Sequence, residues 1–477
     1  MPRRTLLAAL AVLAAAPALA QYEAGAPPAA RPRYETLRFE EDWSALARPD
    51  SLPSRDVFDP IKYVPLARDG RVWIGFGAEA RLRAEGWSNW RFGAPRGSDG
   101  DDVFLLTRLR TYADLHLGER VRVFAEAKSA LATEIDLPPG KSPADVDTIA
   151  LQNGFAELVP WKRGARALTL RAGRQELLFG AERLVGPFDW SNARRTFDGV
   201  TLAFEQPGLG ATALFMRPVV VEQHDANEHR GGDRLYGVYT ALAAPLLPSG
   251  LTLDLYWLGL DRGDRAVNGT AGAENRHTLG TRLGTRFGDS GFDAELETAL
   301  QVGEIGERSI TAGMVSTELG YWRPDWFASP RFFAGFDWAS GDADAGGSVG
   351  TFDPLFPTGH KFFGAFDAVG RSNVLALAAG VAARPLPATT ATLAVHRFWR
   401  ASDDDALYSA AGAVLRPGAA SNAHGVGTEI DVTVAYRLDV HTRLGVGWAH
   451  FFPDSFVASS GPARDGDFVW LWIEYAL

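Results

Sequence analysis

Apolar and polar residues alternate one by one along this chain, over runs longer than the strands of a soluble domain. In Val72, Ile74, Phe76, Ala78, Ala80, Leu82 and Ala84 one face is apolar throughout, while Arg71, Glu79, Arg81, Arg83 and Glu85 take the other. Successive side chains of a strand point to opposite faces, so such a run is a long strand with one oily and one charged side. The pattern returns in Leu105, Leu109, Ala113, Leu115 and Leu117 against Arg108, Arg110, Asp114 and His116. Val121, Val123, Ala125 and Ala127 then alternate with Arg122, Glu126 and Lys128, and late in the chain Ile430, Val432, Val434, Tyr436 and Leu438 stand against Glu429, Asp431 and Arg437. Strands of ordinary domains run to about five or six residues, so these are too long and too two-sided for a sandwich core.

The connections between runs come in two sizes. Short turns are expected at Gly118-Glu119, Trp161 to Ala165, Gln206 to Gly210, Pro245 to Gly250, Gly288 to Gly291, Pro385 to Ala388 and Asp439 to His441. Long polar connections alternate with them: Gly86 to Asp102, Thr133 to Asn153, Val221 to Asp233, Asp261 to Asn275, Gly341 to Ser372, Ala401 to Gly425 and Pro453 to Asp467. This asymmetry predicts an all-β fold, a transmembrane antiparallel β-barrel of about 18 strands with short periplasmic turns and long extracellular loops. Aromatics near strand ends are expected to form the interfacial girdle: Trp87 and Trp90, Tyr321, Trp322 and Trp326, Phe451 and Phe452. Val469, Leu471, Ile473, Tyr475 and Leu477 alternate to the last residue, resembling the carboxy-terminal assembly signal of outer-membrane barrels, which more often ends in Phe.

The first twenty residues read as an address. Arg3 and Arg4 precede an apolar run from Leu6 to Ala16, and Ala18-Leu19-Ala20 forms a small-x-small cleavage site before Gln21. The run is too short for the roughly 20 residues of a spanning helix, and no later stretch is apolar enough for one. Residues 21–70 carry Pro27, Pro28, Pro32 and Pro53 and are expected to be an irregular periplasmic lead-in, a tether or else a partial plug. The barrel is expected over 71–477.

Composition removes other classes. Among 477 residues there is no Cys, which excludes disulfide scaffolds, thiolate metal sites and cysteine nucleophiles. A net charge of -10 without a basic tract argues against nucleic acid as a partner. With the apolar faces on lipid, Arg81, Arg83, Arg108, Arg110, Arg122, Arg171, Arg282, Arg286 and Arg437 become interior cations, joined there by Asp114, Glu126, Glu295, Glu297, Glu429 and Asp431. Roughly half of these are expected to serve only a rigid ion-pair lattice. The others would guide an anion, because the guanidinium fork matches a carboxylate and arginine rings are a known device of anion-selective pores.

One block is Arg171-Ala-Gly-Arg174-Gln175, then Gly180-Ala-Glu-Arg183-Leu184-Val185-Gly186, Asp189-Trp190-Ser-Asn192 and Arg194-Arg195-Thr-Phe197-Asp198-Gly199. A second is Ser340-Gly341-Asp342-Ala-Asp344 with Thr351-Phe352-Asp353-Pro354-Leu355-Phe356-Pro357-Thr358-Gly359-His360; His396-Arg-Phe398-Trp399, Asp403 to Tyr408 and Gly427-Thr428-Glu429-Ile430-Asp431 follow. In this order, from about Lys62 to the C-terminus, they resemble the alginate-export family of outer-membrane barrels. The resemblance implies a barrel in the cell outer membrane, one per chain, with an arginine-rich pore that passes a polyuronate outward and is fed by periplasmic export partners. Carried over by motif, Arg171, Arg174, Arg183, Arg194 and Arg195 are the pore-lining candidates, with Asp189 and Asp198 as their counterparts or part of a gate.

Three functions fit these features: an exporter of an anionic polysaccharide, a porin for small anionic solutes, and an outer-membrane enzyme. The last is least supported, for no G-x-S-x-G nucleophile elbow is present and no cofactor is implied. His360, His396, His424 and His450 are isolated rather than set at ligand spacing, so no metal site is expected. Asp342, Asp344 and Asp353 fail the twelve-residue calcium-loop pattern and read as a solvated acidic loop.

Overall fold

The structure, a computed structural model, describes residues 32–48, 52, 54–93, 100–344 and 346–477. The leader expected over 1–20 and the start of the lead-in lie outside the described residues. Eighteen long strands form one closed antiparallel sheet. In chain order they are β1 (Val72–Ser88), β2 (Asp102–Leu117), β3 (Val121–Ala132), β4 (Asp147–Arg163), β5 (Arg166–Gln175) and β6 (Phe197–Gln206). β7 (Leu209–Val220), β8 (Arg234–Leu242), β9 (Leu251–Val267), β10 (Thr270–Arg286), β11 (Phe292–Ile305) and β12 (Arg308–Trp322) follow. The wall ends with β13 (Arg331–Ala339), β14 (Val374–Ala383), β15 (Thr389–Trp399), β16 (Gly425–Arg437), β17 (Thr442–Pro453) and β18 (Gly466–Ala476). Each strand pairs with its neighbour in sequence, and β18 returns to β1 in the register Glu79↔Ala476 to Ser88↔Asp467, which leaves no open edge.

The side chains obey the alternation. On β1, Glu79, Arg81, Arg83 and Glu85 are buried inside, while Phe76 and Leu82 are exposed outside. Leu109, Leu279, Leu300, Leu377 and Leu471 continue this exposed apolar band around the barrel. Exposure of so much apolar surface would be costly in water, at roughly 25 cal/mol per Å², and is natural only against lipid. No helix among the described residues is long and apolar enough to cross a membrane.

Two expectations about connections and aromatics need correction. Residues 261–275 do not form a long loop: β9 and β10 continue to a two-residue hairpin at Asn268-Gly269, with a register shift between Arg262 and Arg265. Both faces of these strand ends can be polar because 17-residue strands outrun the ~9–11 residues needed to span the bilayer. The Asn-Gly pair, both residues at positive φ, is the usual signature of such a hairpin. The second correction concerns the girdle. Phe452 lies exposed and Tyr321 stacks on the exposed Phe292, but Trp322 shares the inward register of its partner Arg331, Phe451 is fully buried inside the barrel and Trp87 stacks on Phe468 at 3.8 Å. All three occupy inward positions of their strands, a distinction that closeness to a strand end does not convey.

The interior is filled from both ends. From the long-loop end, segments 176–196 and 340–373 fold inward and join at a parallel bridge, Val185↔Phe356. Phe352, Phe366, Phe398 and Phe451 form an apolar core there with Phe92 and Phe468. At the turn end the lead-in enters the mouth: Leu37 and Phe39 pack on Tyr112, Phe124 and Phe155. Lys62 reaches the backbone carbonyl of Leu477 at 2.7 Å and the Tyr112 hydroxyl at 2.9 Å. Gly75 and Gly77 make room for it, since a Cβ on Gly77 would sit 2.6 Å from the Lys62 Nζ.

Candidate functional site: the arginine-rich lumen

Segment 176–196 crosses the lumen, and the arginines of the wall hold it there. Arg81 donates from Nη1 to the carbonyl of Asp189 at 2.8 Å and from Nη2 to those of Trp190 and Ser191 at 3.2 and 3.3 Å. Arg83 donates to the Trp190 carbonyl, lies 4.0 Å from the centre of the Trp190 ring and pairs with Glu85 at 2.7 Å. Arg108 meets Glu79 and the Asp189 carboxylate, both at 2.8 Å, and also the Asp189 carbonyl at 3.0 Å. Asn192 fastens the same stretch by donating to the carbonyls of Thr107, Leu131 and Asp145.

The remaining sequence candidates are bound mostly to carboxylates. Arg110 touches Glu126, Glu79 and Glu176. Arg194 pairs with Glu176 and Asp189 and donates to the carbonyl of Thr36 in the lead-in. The two arginines beside Asp189 hold its carboxyl well below the usual range, despite the burial that opposes ionisation. Arg183 reaches across to β11, 2.5 Å from Glu295 and 3.0 Å from Glu297, where Arg282 also meets Glu295 at 2.5 Å and Asp254 at 3.1 Å. Arg171 pairs with Glu157 at 2.7 Å and lies over Phe39 and Phe155. Arg174 pairs with Asp198 at 2.7 Å and donates to the carbonyl of Asn227 at 3.0 Å.

Arg195 stands apart. Its Nη1 donates only to the carbonyls of Gly186 and Pro357, both at 3.1 Å, and its guanidinium lies between the rings of Phe188 and Phe356. Burial without a neighbouring carboxylate pushes its pKa down to about 10, which still leaves it charged at neutral pH. Arg286 and Arg437, expected in the interior set, are exposed at the turn ends of β10 and β16. Asp342 and Asp353 pair separately with Arg308 and Arg262, and no cluster of three metal-ligating side chains occurs among the described residues.

Sequence reasoning missed Arg38, Arg262, Arg276 and Arg331. Arg276 shares the inward parity of Arg282, and Arg331 opens the alternation of β13, so face periodicity could have found both. Arg38, which pairs with Glu41 and Glu79, lies in the aperiodic lead-in and carries no such signal.

A closed 18-stranded barrel with a lipid-facing apolar band, a polar interior and inward-folded loops is an outer-membrane channel of the porin type. The chain belongs to the alginate export family, whose profile matches residues 72–470. Among solved structures, that of OccAB1 from Acinetobacter baumannii is similar over 88% of this chain and 99% of that chain, with a TM-score of 0.60 and 12% identity. OpdO from Pseudomonas aeruginosa is similar over 85% of this chain and 97% of its own, with a TM-score of 0.55 and 16% identity. At these identities the likeness is one of fold. No curated protein matches the sequence.

Proposed function

We propose that this channel exports an anionic polysaccharide of the polyuronate kind, and that segment 176–196 occupies the cargo's path when no cargo is present. The observation that carries the reading is the chemistry of the acceptors on Arg81 and Arg195. Both are satisfied by neutral peptide carbonyls of the inward loops, and Arg83, though paired with Glu85, shares the Trp190 carbonyl with Arg81. A carboxylate adds its own charge and a two-pronged fit to the guanidinium fork, neither of which a peptide carbonyl offers, so an entering uronate can displace the loop from these residues. Arginines already bound to Glu or Asp gain nothing by such an exchange. They form the lattice that keeps the wall rigid, whereas the carbonyl-bound set guides the anion. Family membership supports a polysaccharide as cargo, delivered from the periplasm.

Planar bilayers test this directly. The unmodified pore should prefer anions and be blocked by oligouronates, and Arg81→Ala with Arg83→Ala should shift the reversal potential toward cations. Arg282→Ala, removed from the carboxylate lattice, should leave selectivity nearly unchanged. Cation preference in the unmodified pore, indifferent to the paired substitution, would remove the polyuronate reading. Anion preference without oligouronate block would favour a porin for small anions.

A further inference from the structure

The outer wall of the barrel, at its loop end, carries a charge arrangement that the pore does not explain. Arg174 and Asp198, expected along the pore, share the outward parity of the exposed Leu170, Val200 and Leu202, so both face away from the lumen. Asp198 is in register with Arg217 of β7, which takes the parity of the exposed Phe215. β8 pairs with β7 from Leu235↔Met216, and this sets Arg234, in the parity of the exposed Val238, beside Arg217. Arg234 is in turn in register with Asp261 of β9. One outward row across β5 to β9 therefore reads Arg174, Asp198, Arg217, Arg234, Asp261.

The two acids of the row are already engaged. Asp198 takes Arg174 at 2.7 and 2.9 Å and lies 3.5 Å from His229, while Asp261 accepts from Asn275 at 2.6 Å and from the Tyr236 hydroxyl at 3.3 Å. Arg217 donates to His229 at 3.0 Å, and among the described residues neither Arg217 nor Arg234 has a carboxylate within ion-pair distance. Like charges facing each other across an antiparallel pair are destabilising, and an anion from outside the chain removes that cost. Position gives the anion its kind. β8 has 9 residues, about the number that spans the bilayer, and Arg234 stands at its loop-side end. The exposed Phe215, Val200 and Val238 lie on the turn side of the arginine pair, at the top of the apolar band. An acyl chain suits the face below the arginines, and a phosphate suits the arginines themselves.

We propose that Arg217 and Arg234 bind the phosphate of an outer-leaflet lipid, whose acyl chains lie on Phe215, Val200 and Val238. A phosphate offers several anionic oxygens, enough for both guanidinium forks, and replaces repulsion between the arginines with attraction to a common centre. Tyr236 stands between the two layers, with its hydroxyl on Asp261 and its ring edge-to-face with Trp257 of the apolar band. The bound lipid fixes the height of the barrel in the membrane at β7 and β8. The claim does not depend on what the channel carries.

Native mass spectrometry of the full-length protein in a neutral detergent tests the site, with bisphosphorylated lipid A, the same lipid stripped of its phosphates, and inorganic phosphate as probes. Retention of a single bisphosphorylated lipid A per barrel is expected, with the stripped lipid held about tenfold more weakly. Inorganic phosphate in excess should not displace it, which separates a lipid from a free anion as the ligand. Arg217→Gln with Arg234→Gln should weaken retention by about tenfold, and a retained heat-shift on semi-native gels verifies that the fold is spared. Arg163→Gln with Arg166→Gln, a second facing pair of exposed arginines at the turn end, should leave retention unchanged. Equal retention of the stripped lipid, displacement by inorganic phosphate, or equal loss from both double variants would overturn the site. So would retention that the loss of Arg217 and Arg234 leaves untouched.

Discussion

Arg81 and Arg108 stand opposite each other across β1 and β2 and share the carbonyls of Asp189 and Ser191, yet only Arg108 also holds carboxylates. Arg108 is committed to Glu79 and Asp189, whereas Arg81 holds three peptide carbonyls. The distinction sets what each substitution does. Arg110→Ala would leave Glu79, Glu126 and Glu176 with one buried cation fewer, and breaking a buried pair in this way costs about 3–5 kcal/mol. It should lower the temperature of heat-induced unfolding on semi-native gels, with little change in selectivity. Arg81→Ala strands only neutral carbonyls, at about 1–3 kcal/mol, and should show mainly in the reversal potential. The parity of both residues is legible in the sequence. Their acceptors are not, because a peptide carbonyl has no residue type to read.

At the scale of elements, two inserted segments govern the lumen. Asn192 shares the two hydrogens of its Nδ2 among three carbonyls of the wall and of loop 133–146, worth about 1 kcal/mol per hydrogen, and Asn192→Ala should loosen segment 176–196. The expected outcome is a larger and noisier single-channel conductance, with the barrel's thermal stability only slightly reduced. The lead-in is seated differently, on two glycines. Gly77→Val would drive its side chain into Tyr112 and Lys62, so the lead-in should leave the mouth and become open to protease while the barrel stays intact. The lead-in's sequence, rich in Pro and without period, fits a tether as well as a plug. Its burial comes from partners far away in the chain, among them Phe124, Phe155 and the carbonyl of Leu477.

For the whole molecule, the two ends of the barrel make a clean test because the chain has no cysteine of its own. Gly118-Glu119 and Asn268-Gly269 are both tight turns, but they lie at opposite ends. A membrane-impermeant maleimide should label Asn268→Cys on intact cells, and Glu119→Cys only after the outer membrane is made permeable. Labelling of position 119 on intact cells would reverse the topology. Circular dichroism of the purified protein should be that of a β-sheet, and the band should shift on gels with heating, as closed barrels do.

The sequence by itself determined the strands, their faces and the class of membrane they suit. Side chains alternate with a period of two, and lipid on one side and water on the other impose opposite chemistry on the two faces, so local order writes itself into local sequence. The motif blocks likewise pointed to the family. Only the tertiary structure decided which arginines are committed to carboxylates and which hold carbonyls, for Arg183 meets Glu295 over a separation of 112 residues. It also decided that loops 176–196 and 340–373 turn inward to meet each other, and that Phe451 belongs to their core rather than to the girdle. The physical reason is the same in each case. Barrel closure brings residues distant in sequence onto one small lumen, and which of them pair there depends on register and loop path, neither of which has a period to read.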